Sequence, residues 1–197
     1  MTVASDDIER EGLARRLIAL GYEDLFMRLD TANVDRVWSG QGAPQQLREL
    51  VLESRADPSA RFLAAEILFA RAPEFPPDDL KRPLAQIYAR ALATAEVANP
   101  WGLPGEVGPV GQHLLQIGDA ALQPLLELLD DRRRVAYIGS KDATFGNSYA
   151  YRVKDLAASY VSLLGDLPYP VREGPADRDR EIESLRKAVE ARRGGSA

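Results

Sequence analysis

The side chains with most to offer a ligand are gathered in one stretch. Between Arg132 and Lys154 the chain places Arg132, Arg133, Arg134, Lys141, Arg152 and Lys154 against Asp142 alone. Tyr137, Phe145, Tyr149 and Tyr151 lie among them. Arginine and aromatic side chains supply much of the contact energy at protein interfaces, and a guanidinium fork matches a carboxylate. The chemistry indicated is recognition of a protein, with an anionic segment as the feature the cations would select. Trp101 stands in a second irregular stretch, Asn99 to Pro109, and joins the same candidate set. The binding residues assigned on this reading are Trp101, Arg132, Arg133, Arg134 and Tyr137, with Lys141, Phe145, Tyr149, Tyr151 and Arg152.

Other chemistries are poorly served. With no cysteine, thiol nucleophiles, disulfides and cysteine metal sites are absent. A single histidine, His113, cannot build a two-histidine metal site, and as a general base it would need an orienting carboxylate such as Asp119 or Asp155. Asp130, Asp131, Asp142 and Asp155 lack calcium-loop spacing. Gly139-Ser140-Lys141 lacks the upstream glycine of a phosphate loop. No catalytic residue, metal site or cofactor is assigned.

Composition sets the frame for these residues. The 197 residues are 45% hydrophobic, enough for a sizeable core and most simply a single domain. The net charge is −5 and the pI about 5.1, which argues against a surface that tracks nucleic acid or anionic membrane throughout. The basic stretch carries an excess of five positive charges, so the remainder stands at −10. Every apolar run is broken by charge and the start is acidic, so neither a membrane span nor a secretory signal is expected, and the expected compartment is the cytoplasm.

The elements that must position the candidate residues read as helices. Residues 1–43 are predicted to be an N-terminal helical cap, with Ser5 to Leu20 stopped by Gly21 and shorter pieces over Tyr22 to Leu29 and Val34 to Trp38. A pair follows over 44–77, where Asp57-Pro58 is a strong start signal: a capping oxygen, then a ring at the first helical position. The next pair, 78–118, opens at Asp78 or Asp79 with apolar residues at three-and-four spacing and closes at Gly118. The third, 119–170, opens at a capping Asp119 and resumes after the basic insert with a single stripe of Val153, Leu156, Ala157, Tyr160, Val161 and Leu164, ended by Gly165. Residues 171–197 hold a charged link and a last helix with Ile182, Leu185 and Val189 inward. Within the insert, Val135 and Tyr137 alternate with polar or small neighbours, as do Tyr149, Tyr151 and Val153, which points to a small β-hairpin over 134–153.

Setting Gly165 against Gly118 and Ala72 gives a period of 46 or 47 residues, in the range of two-helix solenoid repeats. The segments "IGDAALQPLLELLDD" and "VKDLAASYVSLLG" resemble HEAT or armadillo-like repeats, most closely over Val110 to Gly165. The resemblance implies an all-α fold, a short α-solenoid of antiparallel helix pairs, with the two irregular stretches emerging side by side on one face. The function expected is a non-catalytic protein-protein interaction or scaffold module. The alternative is a HEAT-like nucleic-acid-binding protein or DNA base-removing enzyme, in which Trp101, a carboxylate, Asp142 or Asp155, and the arginine run Arg132 to Arg134 would do the work.

Overall fold

The computed structural model of the chain is all-α. It describes residues 3–28 and 31–194, and of residues 3–9 and 140–142 the backbone alone. The end of the predicted Tyr22 to Leu29 piece and the last three residues lie outside that set, as do the side chains of the first turn. The fold divides into two compact units, Met1–Ile87 and Tyr88–Ala197.

In the first unit, α1 (Val3–Tyr22) is broken where the sequence predicts, at Gly21, whose φ of 66° is left-handed. A π-helical turn, Glu23–Met27, follows, then α2 (Ala32–Trp38) and α3 (Ala43–Leu52). Helix α4 (Pro58–Arg71) starts as the Asp57-Pro58 signal requires: Asp57 Oδ1 accepts the amides of Ser59 at 2.8 Å and Ala60 at 3.2 Å. The α4 residue Arg61 donates to the Val51 carbonyl from Nε at 3.1 Å and from its terminal nitrogen at 2.8 Å, placing a cation at the end of α3. Leu47, Leu50, Val51, Leu63, Ile67 and Leu68 form the core between these two helices.

Helix α5 (Asp78–Ala93) carries Pro83 within it and buries Leu80, Leu84, Ile87, Tyr88 and Leu92. The unit boundary falls inside it. A single 3-10 turn, Asn99–Trp101, opens the first irregular stretch, and α6 (Pro109–Ile117) ends at Gly118, φ 74°. The next helix does not begin at a capping Asp119. A 3-10 turn, Gly118–Ala121, leads into α7 (Leu122–Glu127) with no side-chain cap bond, and a second 3-10 turn, Leu128–Asp130, closes it. Pro124 thereby falls at the third position of α7, where the helix needs no amide donor, so the proline costs no bond.

The predicted hairpin over 134–153 is replaced by α8 (Ser140–Tyr149). Among the described residues the insert forms isolated bridges, Arg134 with Arg152 and Val97 with Ala136, and no strand. Two local features let a helix stand where a return strand was expected. Gly146 brings α8 against the Tyr137 ring so closely that a Cβ there would lie 2.2 Å from a ring carbon. Asn147 then supplies with its amide the hydrogen bonds a strand would have made.

The last two helices keep their predicted places, although the first of them is buried all round from Val153 to Val161 and not along a single stripe. Helix α9 (Val153–Gly165) has the predicted bounds, and α10 (Pro175–Gly194) buries Ile182, Leu185 and Val189 against it. Among the described residues no helix is long and apolar enough to cross a membrane.

Candidate functional site

Residues 133–138 run extended, with backbone bonds on both edges. On one edge Ala136 donates to the Glu96 carbonyl at 3.3 Å, and Ala98 donates to the Ala136 carbonyl at 2.8 Å. Asn99 prolongs that edge with its side chain: Nδ2 donates to the Ile138 carbonyl and Oδ1 accepts the Ile138 amide, both at 2.8 Å. On the other edge Val135 donates to the Tyr151 carbonyl at 3.0 Å and Val153 to the Arg133 carbonyl at 2.9 Å. Asn147 completes it, its Oδ1 accepting the Tyr137 amide at 3.0 Å and its Nδ2 donating to the Tyr137 carbonyl at 2.9 Å. An amide side chain has the donor-acceptor pair of a peptide group, so two asparagines satisfy a backbone that lacks full strand neighbours.

This ladder brings the two irregular stretches together and sorts their side chains. Val135 and Tyr137 point inward and are 5% and 3% exposed, while Arg134, Ala136 and Ile138 remain exposed. The alternation read from the sequence is therefore present without the hairpin. The Tyr137 hydroxyl donates to the Gly102 carbonyl at 3.0 Å, and the Tyr160 hydroxyl donates to the Trp101 carbonyl. Trp101 is set edge-on between Tyr88 and Tyr160, with ring centroids 6.2 and 6.3 Å away. Gly111 clears the space for that Tyr160 hydroxyl, since a Cβ at residue 111 would overlap it. Burial raises the Tyr160 pKa, keeping the hydroxyl a donor.

The ten assigned residues divide by location. Arg132, Arg133 and Arg134 are exposed, as is Phe145, and Tyr149 is half-buried. Trp101, Tyr137, Tyr151 and Arg152 are inside. The Lys141 side chain lies outside the described residues. Of the aromatic residues read as anchors for a partner, Tyr137 and Tyr151 hold the insert to its own fold: Tyr151 packs edge-on to Tyr137 at 6.5 Å and to Tyr149 at 5.7 Å. Arg133 is engaged by Asp131, whose carboxyl pKa is lowered first by that hydrogen bond. Ile138 and Phe145, each about half exposed, are the large apolar side chains the insert leaves outside.

A second cluster lies beneath the insert. Asp155 is fully buried and accepts the Arg152 backbone amide at 2.9 Å, closing the start of α9. The same carboxylate receives the Arg152 guanidinium at 3.0 and 2.8 Å and lies 3.1 Å from Arg178 Nε. Asp179 pairs with Lys154 Nζ at 2.7 Å and with Arg152 at 2.8 Å. Burial opposes the charge on Arg152, yet its bonds to Asp155 and Asp179 outweigh it and the pKa is raised. Asp179 shows the converse: desolvation raises its pKa, the bonds from Lys154 and Arg152 lower it, and the result lies below the ordinary value. These pairings commit Asp155, one of the two carboxylates the sequence offered as a partner for His113. Among the described residues no group of three histidine, cysteine, aspartate or glutamate side chains is placed to hold a metal ion.

Sequence reasoning missed Asn99, Asn147, Ile138 and Arg178. Asparagine types announce no particular partner. For Arg178 a signal exists: it precedes Ile182, Leu185 and Val189 by four, seven and eleven residues, so a charged residue occupies the apolar stripe of α10. The first unit holds an open groove of about 720 Å³ lined by Leu13, Arg16, Val37, Gln41, Gly42 and Gln46 among others. It gathers none of the residues assigned from the sequence.

No protein-family model, no curated protein and no solved structure matches this chain.

Proposed function

We propose that the protein is a non-catalytic interaction module of the helical-repeat, HEAT-like class, acting in the cytoplasm and recognising a protein segment that carries carboxylates. The observation that supports it is the ladder joining 96–99, 133–138 and 151–153. A long insert would ordinarily cost conformational entropy on binding; here the backbone is held on both edges before any partner arrives. What it presents is Arg132, Arg134, Ile138 and Phe145, cations beside apolar groups, on a chain that is acidic elsewhere. The repeat class rests on the period of 46 or 47 residues and on the two segments quoted above.

The test is a binding comparison. Arg132→Glu with Arg134→Glu, and separately Phe145→Ser, are expected to remove the partners that co-purify with the wild-type chain while leaving the melting temperature nearly unchanged. Retention of the same partners by both variants overturns the reading. The nucleic-acid alternative meets two obstacles, since Trp101 is buried and Asp155 is paired with arginines. Salt-sensitive binding to duplex DNA by the wild-type chain, lost in the double glutamate variant, would establish that alternative instead.

A further inference from the structure

We propose that α10 is a strap across both roots of the insert, so that docking of α10 and order of the insert are a single local equilibrium. Arg178, in the first turn of α10, is fully buried. One terminal nitrogen donates to the carbonyls of Arg172, at 3.1 Å, and Glu173. The other donates to the carbonyls of Tyr149 at 2.9 Å and Ala150 at 3.4 Å. The guanidinium also lies over the Tyr151 ring, 5.0 Å from its centroid. The turn it grips is the left-handed end of α8, where Ala150 has φ 49°. An L-residue in that conformation must be held by its surroundings, and the buried cation on these carbonyls does so. The next residue, Asp179, holds Lys154 and Arg152 at the start of α9. Arg152 in return donates to the Pro175 carbonyl at 3.3 Å.

The other root is held from the same helix. Arg186 pairs at 2.8 Å with Asp130, two residues before the arginine run begins. Residues 178–186 of α10 thus tie down the chain immediately before and immediately after the insert. Ile182, Leu185 and Val189 supply the apolar part of docking, and Arg192, nearer the end of the helix, reaches the Asp166 carbonyl at 3.1 Å. When α10 lifts, Asp155 is left with Arg152 alone, the α8 end loses its cation, and the Tyr151 ring is uncovered. A partner seated on the insert and any agent that displaces α10 must therefore act on each other by linkage.

The experiment is amide hydrogen exchange, read by segment on the full chain, and it needs no partner. Val189→Ala weakens docking toward the far end of α10, eleven residues along the helix from Arg178. It is expected to quicken exchange in α10 by roughly tenfold and in 143–153 by a similar factor, with α6, in the same unit, unchanged. Arg178→Gln, which cuts the contacts directly, is expected to quicken 143–153 by more. An insert at its wild-type rate in both variants overturns the strap. So does an equal rise in α6, which would mean unfolding of the whole second unit and no local device.

Discussion

The cations in and around the insert are used in two opposite ways. Arg132 and Arg134 stand on its outer side, exposed and without an ion pair among the described residues. Arg152, Lys154 and Arg178 lie beneath it, at most 9% exposed, against Asp155 and Asp179. The residue types are alike, but their energetics are not. A surface arginine in water is worth little to stability until something binds it, whereas a buried one is costly the moment its partner is removed. Arginine content in a sequence therefore says little about recognition until burial is known.

The largest expected effect breaks the buried side of this comparison. Arg178→Ala leaves Asp155 without one of its paired cations and four carbonyl groups short of a donor, and should cost about 3–5 kcal/mol in a denaturant titration. Arg134→Ala, measured in the same way, should change stability by less than about 0.5 kcal/mol. Equal losses would abolish the distinction. Next is the packing that separates the two sides: Gly146→Ala pushes a methyl into the Tyr137 ring and should cost about 1–3 kcal/mol.

A gain of up to about 1 kcal/mol is expected for Ala150→Gly, read as a raised melting temperature, because glycine adopts the left-handed conformation of that residue without steric cost. The smallest effect expected is a pH dependence. Asp179 has a folded-state pKa below the ordinary 3.8, so its contribution is complete above that value and is lost as the pH falls through the folded pKa. Asp179→Asn should flatten that acid limb of the stability profile; an unaltered limb would assign it to other carboxylates.

What the sequence determined by itself was local. The Asp57-Pro58 start of α4, the stop at Gly118, the whole span of α9 and the inward stripe of α10 follow from capping, glycine conformation and a 3.6-residue period, all set by neighbours along the chain. The period-two burial of Val135 and Tyr137 was equally legible. Only the tertiary structure decided what faced those alternating residues. A return strand and a helix with a glycine and a well-placed asparagine can satisfy the same backbone, and the choice depends on contacts made across sequence distance. The same holds for Trp101 and Tyr151: an aromatic ring is equally suited to a partner or to the protein's own interior, and which it meets depends on the segments the fold packs against it. Arg178 was settled in that way too, because a cation can occupy an apolar stripe once carbonyls and a carboxylate from elsewhere in the chain converge on it.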